Sequence, residues 1–231
     1  LVKLVKAVVP GDAEERELSV LDDRFLSSPS LGLERDHDAV VQMSEFARDN
    51  YRLAVELIWK FDAKKLERLN ETEVALDKLE GLLDNYLVKL TDRALTAEES
   101  TRVSELLHTL SDFERIGDYA VNVSESAVVL HDRNITFSPQ ARAELERLTA
   151  AVGETLDKTV ACYQSRQRTL AVQVEPLEEV VDLIAATLKN RHVERLKAGE
   201  CTIELGTQFL ELLINLERMS DHCSNVALHI L

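Results

Sequence analysis

From Pro29 onward, apolar residues recur three and four positions apart, the spacing of one helix face, and nowhere settle into the alternation of a strand. Val103, Leu106, Leu107, Leu110, Phe113, Gly117, Val121 and Val128 mark one such stripe. The run FLELLINL at 209–216 is apolar nearly all round, which predicts a helix central to its bundle. Met43, Phe46, Trp59 and Phe61 read as core residues of the first helix. Turn and cap signals cut the pattern into six long helices. The first is predicted from Pro29 to Arg68. Asn70 as N-cap with Glu73 as its capping-box partner opens the second, which runs to Asp92. Thr96 and Glu99 repeat that box and open a third, to Leu130. Ser138-Pro139 starts the fourth, Glu175-Pro176 the fifth, and Lys197-Ala198-Gly199 ends the fifth as a basic last turn closed by glycine. The sixth begins near Thr202. Residues 1–28 form a mixed lead-in with a Pro10-Gly11 turn.

The two halves of this series match one another. DFERIGDYAVNV (112–123) lies over NLERMSDHCSNV (215–226), and ETEVALDKL (71–79) lies over PLEEVVDLI (176–184). The shared ER-x2-D-x3-NV is more than amphipathic helices share by chance. The expected fold is therefore all-α, two tandem three-helix bundles from an internal duplication, with units at 29–134 and 135–231 after the lead-in at 1–28.

Positions i, i+4 and i+8 follow one helix face, drifting by about 40° per step. Glu114, Asp118 and Asn122 form such a ladder, and Glu217, Asp221 and Asn225 form its copy. The second helix of each unit adds a pair, Glu73 with Asp77 and Glu178 with Asp182. Three-helix packing would bring each pair against a ladder, gathering hard oxygen ligands without imidazole or thiolate. Like charges at i and i+4 repel, which calls for a compensating cation, either a metal or an arginine such as Arg115 or Arg218 reaching to a neighbouring helix. An isolated acidic ladder would be a solvated face; its duplication makes these ten residues candidate metal ligands.

Composition narrows the function. The 42 acids against 27 bases leave a formal charge of -15, which repels phosphate backbones and speaks against a nucleic-acid partner. Cys162, Cys201 and Cys223 are odd in number and widely spaced, fitting a reducing, cytoplasmic setting. No apolar run reaches the about 18 residues of a membrane span. No glycine-rich phosphate loop is present. A di-iron carboxylate enzyme would need two Glu-x2-His pairs inside a four-helix bundle, and Glu105-x2-His108 is the one clear instance. His108 reads as a surface or interface histidine. His222 is left out of the site because Tyr119 stands at its counterpart in the other half.

ERIGD (114–118) and LERMSDHCSN (216–225), with the pairs at 73/77 and 178/182, resemble the signatures of the PhoU family over roughly residues 30–231. That resemblance implies two related three-helix bundles and a non-enzymatic regulatory role in phosphate uptake. It also implies multinuclear iron or zinc clusters on the acidic faces, Glu73, Asp77, Glu114 and Asp118 serving one and Glu178, Asp182, Glu217 and Asp221 the other. Both third positions are Asn where family members carry an acid. The lead-in LDDRFLSSPSLGLERD (21–36) and HVERLKAGECTIELG (192–206) resemble a sodium/phosphate cotransporter whose C-terminal domain is PhoU-like. The expectation from that likeness is a membrane-tethered cytoplasmic tail with the transporter's membrane domain as partner in cis. The alternative is a stand-alone PhoU-type regulator working with an ABC phosphate transporter and its signalling proteins. A homodimer is a further expectation.

Overall fold

A computed structural model describes residues 23–231, so most of the expected lead-in lies outside the described residues. A short 3-10 helix (Asp23–Ser27) leads into six long helices: α1 (Pro29–Trp59), α2 (Ala63–Thr91), α3 (Ala97–Asp132), α4 (Pro139–Ser165), α5 (Val174–Lys197) and α6 (Ile203–Ile230). A one-turn helix (Arg168–Ala171) stands between α4 and α5. There is no strand among the described residues.

Most boundaries follow from cap chemistry. Thr96 and Glu99 form a reciprocal capping box at the start of α3. The Ser138 hydroxyl accepts from the Ala141 N–H at 3.2 Å, and Thr202 caps α6 in the same way through Leu205. Gly199 closes α5 with a φ of +70°, a left-handed conformation in which glycine carries no Cβ penalty.

Two boundaries depart from expectation. The first helix stops at Trp59, not Arg68, and the second begins at Ala63, not after Asn70. Asp62, extended at φ -146°, accepts from the Lys64 N–H at 2.9 Å and is the true N-cap. Asn70 lies inside α2, and the Glu73 carboxylate is turned toward Asn50 instead of a helix end. A capping-box pattern recurs by chance in a helix this acidic, and packing of Leu69 and Leu76 into the core decides the matter. The fifth helix likewise starts at Val174, with Pro176 inside its first turn where no N–H is needed.

In the first unit α1, α2 and α3 pack on one another; in the second α4, α5 and α6 do the same. The units meet through α3 against α6 and α1 against α4, which leaves α2 and α5 on the outside. The core runs through both, with Met43, Phe113, Ile116 and Phe209 fully buried and Phe46, Trp59 and Phe61 packed along its edge. Burial of such side chains contributes about 1.5–3 kcal/mol each before conformational entropy is set against it. As its apolar run foretold, α6 touches α3, α4 and α5. No helix among the described residues is long and apolar enough to cross a membrane.

Candidate functional site

Each outer helix forms an acidic groove with the last helix of its unit. In the first groove α2 presents Glu73, Asp77 and Glu80 toward Glu114 and Asp118 of α3. Gly117 makes this approach close, since a Cβ there would sit 3.0 Å from Leu76 Cδ1 and 3.2 Å from Glu73 Oε2. Burial, then Asp77 and Asp118, push Glu73 up to about 7, while the Asn50 amide, donating at 3.3 Å, pulls it back. Glu114 is pushed to about 7 by burial and then by Asp118, with Arg115 opposing. Arg115 lies 3.5 Å from Glu114 and 3.1 Å from Asp118 on its own helix, and its charge also opposes the rise at Glu80 on α2.

The second groove is built by α5 and α6. Donor oxygens of Glu178, Asp182 and Asp221 all lie within 4.8 Å of one another, and among the described residues no other set of three or more acidic, His or Cys side chains meets that criterion. Burial is the largest cause raising all three; Asp182 and Asp221 also raise Glu178, and Glu217 raises Asp182. Lys189 of α5 bridges to Glu217, and Arg218 lies 3.5 Å from Asp221. Here the cross-helix cation is a lysine that the ladder pattern does not reveal.

The third rungs of the ladders go elsewhere. Asn122 donates to Asn215 Oδ1 at 3.3 Å, and Asn225 donates to Asp112 Oδ1 at 3.2 Å. Both are contacts between α3 and α6, on the seam joining the units, so neither amide is brought to the carboxylates. Two steps of about 40° rotate the third rung away from the outer helix and toward the inner one. The polar side of α6 is thus split: Glu217 and Asp221 face α5, whereas His222 and Asn225 face α3. His222 lies 2.8 Å from Asp112, which supports leaving it out of the carboxylate set. His108 stacks on His229 with centroids 5.4 Å apart, an interface position away from both grooves, and Glu105 is exposed one turn before it.

Glu80 was absent from the expected set. It follows Glu73 by seven residues, two helical turns, and so returns to the same face. Burial, then Asp84, Asp77 and Asp118, raise it. A search by i+7 as well as i+4 would have found it.

Half-buried carboxyls crowded on one another repel, a divalent cation among them would relieve that repulsion, and their oxygens suit hard or borderline metals. The residues present therefore fit a metal, best where three donors already converge at Glu178, Asp182 and Asp221.

The family model described as the PhoU domain matches twice, over residues 40–127 and 145–230. The phosphate-specific transport system accessory protein PhoU homolog of Xylella fastidiosa strain 9a5c is 24% identical over 193 residues, covering 83% of this chain and 80% of its own. Among solved structures, PhoU from Pseudomonas aeruginosa superposes with a TM-score of 0.80 at 21% identity, covering 86% of this chain and 94% of its own. The phosphate transport system regulatory protein PhoU from Streptococcus pneumoniae gives 0.77 at 16%, over 88% and 95%. At these identities the structures speak for the fold alone, two repeated helical units, while the doubled family match spans each unit and carries both acidic motifs. The chain belongs to the PhoU family.

Proposed function

We propose that this chain is a non-catalytic accessory regulator of phosphate transport, acting with a transport complex and its signalling proteins. The observation that carries the reading is the doubled family match, joined to relatives whose names describe phosphate-transport accessory proteins. The chain covers 80% of the X. fastidiosa relative and 94% of the P. aeruginosa structure. The names of those relatives favour the accessory-protein reading over the tail of a sodium/phosphate symporter.

The two acidic grooves are the proposed cation sites, iron and zinc being the metals to try first. Glu178, Asp182, Glu217 and Asp221 would hold one group; Glu73, Asp77, Glu114 and Asp118, with Glu80 added, would hold the other. Bound cations would supply the positive charge that these crowded carboxyls lack. The di-iron enzyme reading has no support in the geometry, since Glu105 and His108 lie apart from both grooves.

A host lacking its own family member tests the regulatory reading. Expression of this chain should restore phosphate-dependent control of phosphate uptake, and the double variant Asp118→Ala, Asp221→Ala should not. Failure of the unaltered chain to restore control, at normal expression, would remove the reading.

A further inference from the structure

One cavity has the opposite electrical character to the rest of the molecule. In a chain with 42 acids against 27 bases, it is lined by three arginines and a single acid, Glu105. Its volume is about 320 Å3, inside the range of sites that enclose small organic ligands. It lies where the units meet: Arg102 comes from α3, Arg166 from the end of α4, Arg168 from the one-turn helix, and Ile230 from the end of α6. It uses none of the groove residues.

The arginines are held in place with N–H groups to spare. Arg166 grips Glu34 with both terminal nitrogens at 3.1 Å and donates its Nε–H to His37 at 3.2 Å. Arg102 donates to the same Glu34 oxygen at 2.8 Å. Glu34 is thereby held down at about 2 by Arg166 and then Arg102, and so stays ionised. Arg168 spends its Nε–H on the Ile230 carbonyl at 3.2 Å. Each guanidinium carries five N–H donors, so Arg102 and Arg168 keep most of theirs for another acceptor. Arg166 sits in a left-handed conformation, φ 51°, at a helix end where glycine is the usual occupant. Such a conformation is strained for a non-glycine residue and persists where its surroundings over-determine it.

The walls are of another kind. Leu106, Tyr163 and Ile230 supply apolar and aromatic surface, with the Tyr163 ring tilted against His37 at 4.8 Å between centroids. Guanidinium forks match the paired oxygens of a phosphoryl group, and apolar walls match an organic body. A bare inorganic anion would leave those walls wetted.

We propose that this inter-unit cavity binds a small phosphate monoester, its phosphoryl group on Arg102 and Arg168 and its organic part against Leu106, Tyr163 and Ile230. A ligand seated there touches both units and so ties them together. The site is independent of metal in the grooves.

Calorimetric titration of the full chain with AMP, adenosine and inorganic phosphate, in chelator, tests this. AMP should bind at least tenfold more tightly than either fragment. Arg102→Gln with Arg168→Gln should weaken AMP at least tenfold and leave adenosine unchanged. Glu105→Gln, at an exposed residue with no hydrogen bond that folding needs, should tighten AMP several-fold by removing a like charge. AMP binding no tighter than phosphate or adenosine would overturn the proposal. So would an AMP affinity indifferent to both the arginine pair and Glu105→Gln.

Discussion

The two units share a helix order and a ladder motif, yet they treat their acids in opposite ways. In the first groove Asp84 stands at the place that Lys189 takes in the second, in the register that sets Glu73 over Glu178. Lys189 bridges to Glu217, whereas in the first groove the acids of α2 press on one another and on Asp118. The contrast extends to the interior. Asp36 of the first unit is fully buried with no hydrogen-bond partner at either oxygen, and burial pushes it up to about 8. Glu144 of the second, 3% exposed, has Arg195 at 2.7 Å and Arg191 at 3.3 Å. Across these two pairs of sites the second unit sets a cation against its acid, at Glu217 and Glu144, where the first sets another acid or nothing. A duplicated backbone thus fixes where carboxylates stand, while single substitutions decide whether the protein itself supplies the opposite charge.

The contrast breaks most visibly at Asp36. Its native pKa is raised, so its contribution to stability is fully present below the unfolded value near 3.8 and is lost as pH rises through about 8. Asp36→Asn cannot ionise. The variant should therefore gain stability relative to the parent across that window, by on the order of 6 kcal/mol by pH 9. A difference that stays constant would show that Asp36 has a partner.

Arg195 gives the next effect. Arg195→Ala leaves the buried Glu144 carboxylate with only the exposed Arg191 for a cation and should cost about 3 kcal/mol in chemical denaturation. Arg102→Ala removes a comparable partner from Glu34, which like Glu144 lies six residues beyond a Ser-Pro helix start. That pair is exposed, and its loss should cost about 0–1 kcal/mol. Equal costs would erase the distinction.

Gly117 and Ser220 occupy the same rung of the two ladders. Gly117→Ser should cost about 1–3 kcal/mol by forcing Leu76 and Glu73 aside. Ser220→Gly should cost about 1 kcal/mol or less, the ordinary helix penalty of glycine. The grooves themselves differ in cation affinity. Lys189→Gln should strengthen manganese binding in the second groove, and Asp118→Asn should weaken it in the first, each by roughly tenfold, or about 1.4 kcal/mol. Calorimetry on the two variants separates the grooves.

Much of this was legible in the sequence. Thr96 with Glu99, Ser138-Pro139, Thr202 and Gly199 marked helix ends because local cap chemistry acts without help from the rest of the fold. The break at Lys60-Phe61-Asp62 was not, since it has no Gly or Pro and the Asn70-Glu73 pattern mimics a cap. The paired carboxylates at i and i+4 were readable as facing partners across a groove. The turn of Asn122 and Asn225 onto the seam was not, because it depends on which helix stands on each side of α3 and α6. Lys189 was invisible for the same reason: its partner lies on another helix.

The crossed amide contacts carry one more consequence. Asn122 meets Asn215 and Asn225 meets Asp112, and in the register that sets 122 over 225 those two contacts are the same contact made twice. That reciprocity is the mark of an isologous interface, the kind two identical subunits make about a two-fold axis. Joining both copies in one chain frees the paired positions from having to be identical. Asp112 and Asn215 use that freedom: one copy keeps an acid beside His222 and His229, and the other replaces it with an amide.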